Sequence, residues 1–215
     1  MEQRNLWLPY HLRDIVMLTE RSVELPWLIA NIGRPKRILD IGSADATYLH
    51  ILFEMCRELY LCDTRRFDVT VPARQVHVGS AHQLPAAWGG MFDMVTCVSV
   101  LDHVGLDAYG NTTDENLLNA VIEEIERVIV PGGRLLLTVP LGRAQVTTHP
   151  AGGQRIFDLD TLLGLFDASA WRAIDASVWR LQDDHYVDSS APESANAGYA
   201  QWRAEACIAL ELVKL

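Results

Sequence analysis

Between residues 37 and 139, short and almost continuously apolar runs alternate with segments of helical composition, and this alternation constrains the fold more than any other feature of the chain. A strand covered on both faces carries an unbroken apolar run, and strands separated by helices are what a parallel sheet of βαβ units requires. The runs are Arg37-Ile-Leu-Asp-Ile-Gly42, Glu58-Leu-Tyr-Leu-Cys-Asp63, Arg74-Gln-Val-His-Val-Gly79, Phe92-Asp-Met-Val-Thr-Cys-Val-Ser99 and Arg134-Leu-Leu-Leu-Thr-Val-Pro140. Ala44 to Cys56 is helical in composition. The clearest helix is expected over 114–129, where Leu117, Leu118, Val121, Ile122, Ile125, Val128 and Ile129 recur at helical spacing and Glu123, Glu124, Glu126 and Arg127 fill the other face. Thr112 and Glu115 are spaced for its capping box, and Pro131-Gly132-Gly133 stops it.

The flanks read differently. Pro9 to Ile32 is helical in pattern, with Pro26 expected to kink or divide it, and it covers one edge of the core or forms a lid. After residue 140 a short helix near 158–168 precedes two strand-like runs, Trp171 to Leu181 and Ala204 to Lys214, which suggest an antiparallel finish. In the polar stretch between them, Asp188 to Gly198 reads as one exposed loop.

Composition removes several function classes. A net charge of −10 with scattered arginines offers no stripe to neutralise phosphates, so nucleic acid is not an expected partner. No apolar run reaches the ~18 residues of a membrane span, and Glu2, Arg4, Arg13 and Asp14 interrupt any signal-peptide core. Cys56, Cys62, Cys97 and Cys207 form no CxxC pair and read as reduced thiols, which favours the cytoplasm. No histidines and carboxylates stand at metal-ligand spacing, so no metal is expected.

Open parallel sheets bind ligands beyond the carboxyl ends of their strands. After the first run comes Asp40-Ile-Gly-Ser-Ala-Asp-Ala46, whose small residues allow close approach of a ligand. The second run ends in Asp63, placed to accept hydrogen bonds from both hydroxyls of a ribose. A dinucleotide fingerprint needs G-x-G-x-x-G to seat a pyrophosphate, whereas this turn has only Gly42, and no P-loop lysine follows. A cofactor with a ribose and no phosphate fits better.

Ile38-Leu-Asp-Ile-Gly-Ser-Ala44 resembles the first motif of class I S-adenosylmethionine-dependent methyltransferases, written D/E-x-G-x-G-x-G. Asp63 falls at that family's ribose-binding acid, Gly79-Ser-Ala-His-Gln-Leu-Pro85 resembles its G-D-A-x-x-L-P segment, and Phe92-Asp-Met-Val resembles its F-D-x-V strand. Glu126-Arg-Val-Ile-Val-Pro-Gly-Gly133 with Leu135-Leu-Leu is similar to its R-V-L-K-P-G-G step. Asp102-His-Val-Gly-Leu-Asp-Ala-Tyr-Gly110, Arg21-Ser-Val-Glu-Leu-Pro-Trp27 and Gln154-Arg-Ile-Phe-Asp158 resemble a narrower branch with an E-H-x-G-L-G-x-Y-G signature, associated with sugar or secondary-metabolite pathways. Ala44 and Ala46 depart from the later glycines of the first motif, and Ser80 replaces the acid that often contacts adenine.

The resemblance implies an α/β, Rossmann-like, doubly wound, mostly parallel seven-stranded sheet with an antiparallel last strand and an N-terminal helical extension. One domain over 1–215 is expected, with a helical cap over 1–34, a cofactor-binding core over 35–140 and substrate-side loops and strands over 141–215. The implied cofactor is S-adenosylmethionine, leaving as S-adenosylhomocysteine, and the implied reaction is O- or N-methylation of a small-molecule acceptor by a monomer or homodimer. Asp40, Gly42, Ser43 and Ala44 would shape the turn around the methionine part, Asp63 and Thr64 the ribose, Ser80 and Ala81 the adenine, with Ser99 beyond the fourth strand. Asp40 either touches the ligand or hydrogen-bonds within its own turn. A non-catalytic ligand-binding or assembly protein on the same fold is the alternative that Ala44, Ala46 and Ser80 keep open.

His103 and His149 are the candidate general bases, because imidazole accepts a proton near neutral pH and a hydroxyl acceptor must lose one. His103 follows the fourth strand, near the expected methyl donor, or else packs locally. Asp102 is a candidate to orient it, although adjacent residues usually point apart. His149, Arg155, Tyr109 and Trp27 are candidates to line an acceptor pocket; His77 and His82 are assigned to a strand and a surface turn.

Overall fold

Strand β1 (Arg37–Ile41) sends Ile38 to one face of the sheet and Leu39 and Ile41 to the other, and all three are buried. The same alternation runs through β4 (Phe92–Val98) and β5 (Ile129–Pro140). Both faces must therefore be covered, which is why these strands carry apolar runs rather than polar alternation. On one face lie α1 (Arg21–Asn31) and α2 (Leu49–Met55), with Trp27, Leu28, Ile32, Tyr48 and Leu52 against the sheet. The amphipathic α3 (Leu117–Val128) covers the other through Leu118, Val121, Ile122, Ile125 and Val128. The structure, a computed structural model, describes residues 19–68, 72–111, 113–149, 152–200 and 203–215.

With β2 (Glu58–Asp63), β3 (Val76–Val78), β8 (Trp171–Gln182), β9 (His185–Ser189) and β12 (Ala206–Lys214), the main sheet has the order β3-β2-β1-β4-β5-β12-β8-β9. The first five are parallel; β12 runs antiparallel to both β5 and β8. Two small hairpins, β6 (Gln145–His149) with β7 (Gly152–Ile156) and β10 (Tyr199–Ala200) with β11 (Arg203–Ala204), stand apart from it.

Eight strands replace the expected seven. Asp183 and Asp184, at φ 48° and 64°, make a two-residue turn that folds the chain back from β8 into β9, a conformation that Asp tolerates better than most residues. An edge strand with one wet face carries no apolar run, so the sequence gives β9 no signal. Asp188 to Gly198 is likewise not a single loop: it holds α5 (Ala191–Ser194), whose Glu193 carboxylate accepts from the Ser190 N–H and hydroxyl.

Other boundaries contract. The run from Arg74 opens as a 3₁₀ turn, and the helix expected from Ala44 begins with one at Ser43–Asp45. The helix near 158–168 is only α4 (Leu159–Leu163), capped by Asp158 accepting from the Thr161 N–H at 2.7 Å. Helix α3 starts after Asn116, and Thr112 lies outside the described residues. Strand β5 starts earlier than expected, at Ile129, because its main chain already pairs with Phe92 there. Pro26 sits inside α1 without dividing it, and the part of the expected N-terminal helix before residue 19 lies outside the described residues. Among the described residues no helix is long and apolar enough to cross a membrane.

Candidate active site

The sheet order places the ends of β2, β1 and β4 side by side, so their following turns share one crevice. At its centre Gly42 turns the chain with φ 86°, and its N–H donates to the Cys62 carbonyl at 2.8 Å. A Cβ on Gly42 would stand 2.3 Å from Val100 Cγ2, in the turn after β4. Gly42→Ala is therefore expected to cost about 2 kcal/mol, from left-handed strain and a clash together. Urea unfolding checks this, and Val100→Ala in the same chain should restore the part due to the clash.

Asp40 is fully buried beneath the turn and accepts from Thr96 Oγ1 at 2.6 Å, Ser43 Oγ at 2.8 Å and Tyr48 OH at 3.1 Å. Burial pushes its carboxyl up to about 6, against the pull of those three hydrogen bonds. Of the two roles expected for Asp40, the geometry displays the local one, with side-chain donors. Ser43, itself buried, is spent on the same network.

Asp63 lies at the end of β2, 7% exposed. Its Oδ2 accepts the Ala44 N–H at 2.9 Å, which ties the acid to the glycine turn, and its Oδ1 accepts the Arg65 N–H at 2.9 Å. The Arg65 guanidinium spans Asp63 (3.2 Å) and Asp45 (2.6 Å), then lies 4.6 Å from the centre of the Tyr109 ring. A cleft of about 340 Å³ opens between the two turns, lined in part by Ala44, Ala46, Arg66 and Phe67. Thr64, between Asp63 and Arg65 in the chain, is exposed. Ala81 is buried in a 3₁₀ turn, and the Ser80 hydroxyl is 2.7 Å from His82 Nδ1.

Beyond β4, Ser99 takes φ 48°, its N–H held by Thr138 and its hydroxyl donating to Glu24 Oε1 at 2.8 Å. Asp102 and His103 do point together: His103 Nε2 is 3.4 Å from Asp102 Oδ2, while Nδ1 is 2.8 Å from the Gly153 carbonyl. They lie in an irregular turn rather than a helix, so successive side chains need not diverge. With both ring nitrogens facing oxygens, His103 has the geometry of an anchor between the post-β4 turn and β7. Of the two roles expected for His103, base or local packing, this geometry displays the second; action as a base requires a nitrogen lone pair presented to the acceptor. Tyr109 meets the His103 ring edge-on at 5.1 Å.

Gln154 Nε2 donates to Asp102 Oδ2 at 2.9 Å, and Arg155 donates to the Leu101 and Val104 carbonyls at 3.3 and 3.1 Å. Trp27 is directed elsewhere, its Nε1 donating to Asp175 at 3.2 Å. His149 ends β6 opposite Gly152, and its side chain lies outside the described residues. Among the described residues no cluster of three His, Cys, Asp or Glu could hold a metal ion.

Sequence reasoning assigned no role to Arg21, Glu24 or Arg65. Arg21 and Glu24, three apart on the face of α1 turned to β4, form a 3.0 Å ion pair, and Glu24 is fully buried. Charged residues at that spacing on an otherwise apolar helix face were the available signal.

A methyltransferase domain model matches residues 39–137, the span from β1 through β5 that builds this crevice. The matched domain is an S-adenosylmethionine-binding domain. No curated protein matches the chain. Among solved structures, the N-methyltransferase NodS from Bradyrhizobium japonicum, with S-adenosylhomocysteine, is 15% identical at a TM-score of 0.58, covering 98% of this chain and 91% of that one. The 1,6-didemethyltoxoflavin-N1-methyltransferase of Burkholderia thailandensis, with its substrate and S-adenosylhomocysteine, is 16% identical at 0.60, covering 95% and 87%. A SAM-dependent methyltransferase from Methanosarcina mazei is 14% identical at 0.62, covering 88% and 97%. At such identities the likeness establishes the fold.

The residues present fit an S-adenosyl group in kind. A buried acid stands beside a turn of small residues over a left-handed glycine, with an open cleft alongside and no phosphate-binding glycine run. The fit requires movement at one place, because the Arg65 guanidinium occupies the Asp63 oxygens that ribose hydroxyls would take.

Proposed function

We propose that the chain transfers a methyl group from S-adenosylmethionine to an oxygen or nitrogen of a small-molecule acceptor. The observation that carries this reading is the joining of Asp63 to the Gly42 turn through the Ala44 N–H, which sets a ribose acceptor next to a turn too tight and too poor in glycine for a pyrophosphate. The methyl domain match and the N-methyltransferase neighbours support it. The cofactor supplies a methyl group activated on a sulfonium. Asp63 holds the ribose hydroxyls, with Thr64 next in the chain, and Ala44 and Gly42 let the main chain approach the sulfur side. Ser80 and Ala81 border the adenine. His103, Asp102 and Gln154 fix the β6–β7 hairpin against the post-β4 turn and so shape the acceptor side. Holding reactants in line at ~3–3.5 Å supplies on the order of 7–11 kcal/mol of the barrier, so positioning is the protein's main contribution. The narrower motif branch suggests a sugar or secondary metabolite as acceptor. The cytoplasm, where buried thiols such as Cys62, Cys97 and Cys207 stay reduced, is the proposed location, and a monomer or homodimer the proposed state.

Labelled methyl transfer tests the proposal: incubation with methyl-labelled S-adenosylmethionine and panels of amines, phenols and sugars should label at least one acceptor. A second reading, a non-catalytic ligand-binding protein, is favoured by the Arg65 bridge across Asp63 and Asp45 and by Val100 seated over Gly42. Binding of the cofactor with no labelled product across those panels would support it instead.

A further inference from the structure

We propose that Arg65 is a ligand-displaceable latch: it fills the two places on Asp63 that a ribose diol takes, and it straps the ribose acid to the loop after β4 until an S-adenosyl ligand exchanges with it. This rests on the cofactor reading above. The count of acceptor positions carries the inference. A carboxylate offers about four lone-pair directions. On Asp63 two of them are filled by main-chain donors, the Ala44 N–H on Oδ2 and the Arg65 N–H on Oδ1, each at 2.9 Å. The other two face the Arg65 side chain, with Nε 3.2 Å from Oδ1 and Nη2 3.4 Å from Oδ2. One edge of the guanidinium thus sits where two adjacent hydroxyls would donate, one to each oxygen.

The two kinds of bond do different work. The main-chain bonds tie Asp63 to the turn after β1 and to its own turn, and they survive if the guanidinium leaves. The side-chain bonds are longer, and the Arg65 side chain is 34% exposed, so water can take up the donors that exchange releases. Ion pairs open to solvent in this way are weakly held. The side-chain pair is therefore the exchangeable half of the Asp63 shell.

Arg65 also reaches the other turns of the crevice. Its Nη1 donates to Asp45 in the turn after β1 at 2.6 Å, and its guanidinium lies 4.6 Å from the centre of the Tyr109 ring in the loop after β4. Tyr109 takes φ 53°, an uncommon conformation for a side chain of its size, and meets the His103 ring edge-on at 5.1 Å. His103 in turn faces the Gly153 carbonyl of β7. The guanidinium is one rigid plane, so Nε and Nη2 leave Asp63 only if the plane shifts on the Tyr109 ring, whereas the exposed Asp45 side chain can follow Nη1. Ligand entry at the ribose acid is thereby linked to the loop that carries the acceptor-side hairpin.

Calorimetric titration with S-adenosylhomocysteine and with its 2′,3′-dideoxy analogue, which asks nothing of Asp63, tests the latch. Arg65→Met should bind S-adenosylhomocysteine about 3- to 10-fold more tightly than the wild type and the analogue no more tightly. Tyr109→Leu, which removes one hold on the latch, should gain about 2-fold for S-adenosylhomocysteine. In the wild type, raising salt from about 0.05 to about 0.5 M screens the ion pair. Binding of S-adenosylhomocysteine, which carries no net charge, should then tighten while that of the analogue does not. Unchanged or weaker S-adenosylhomocysteine binding by Arg65→Met overturns the proposal, and so does the absence of any gain in Tyr109→Leu. An equal gain for the analogue also overturns it, because Arg65 would then merely obstruct the cleft. A wild-type affinity that salt leaves unchanged does the same without any variant having to fold. If neither the wild type nor Arg65→Met binds S-adenosylhomocysteine, the cofactor reading itself fails, a result distinct from the others.

Discussion

Asp63→Ala is expected to weaken S-adenosylhomocysteine binding by about 10- to 150-fold, equivalent to losing roughly 1.5–3 kcal/mol of charge-assisted hydrogen bonding. The carboxylate is 7% exposed and already orders both turns, through the Ala44 N–H on one side and Arg65 on the other. Its removal takes away the ribose acceptor and also frees Arg65 from one of its two acids. Part of the measured loss is therefore the disordering of the turn. Asp63→Asn separates the two: it keeps an oxygen for the Ala44 N–H while losing the charge and the second acceptor, so its deficit should be the smaller. Calorimetry on both variants decides, and an unchanged dissociation constant in Asp63→Ala would show that the ligand does not use the end of β2.

The second large effect is on stability. Burial holds the Asp40 carboxyl at about 6, above its ordinary value near 3.9. Between those values the folded protein keeps a proton that the unfolded chain has released. The stabilising share of this carboxyl is thus complete below about pH 4 and lost as the pH rises through about 6. Asp40→Asn does not titrate. The stability of the wild type relative to Asp40→Asn should therefore fall by about 2 kcal/mol from pH 4 to pH 7, read from urea unfolding at each pH. A difference that stays constant over this window would mean that the carboxyl is not desolvated in the turn.

What was legible in the sequence follows from what leaves a trace in composition. Strands buried on both faces, such as β1 and β4, must be apolar throughout, so their runs and their alternation with helices disclose a doubly wound sheet. Gly42 and Asp63 were legible because a sharp turn needs a permissive residue and because strand ends are where such sheets bind ligands. The hairpins were not. Strand β9 and the β6–β7 pair are short and partly exposed, so neither carries an apolar period. Side-chain networks were hidden for another reason: the sequence cannot say that Thr96, fifty-six residues away, donates to Asp40, or that Arg65 reaches across to Asp45 and Tyr109. Asp102 and His103 show a third limit, since their convergence depends on the irregular backbone after β4, which no periodicity describes.

The central claim, that the crevice over Gly42 and Asp63 binds an S-adenosyl ligand, is tested most directly by thermal unfolding with S-adenosylmethionine, S-adenosylhomocysteine and NAD, each near 100 times a plausible dissociation constant. Saturation to that degree contributes about 2.7 kcal/mol, which in a chain of this size raises the midpoint by roughly 5–10 °C. A rise with the first two and none with NAD is the predicted result. No rise with either S-adenosyl compound would contradict the account, leaving Arg65 as the permanent occupant of Asp63 and the fold without its cofactor.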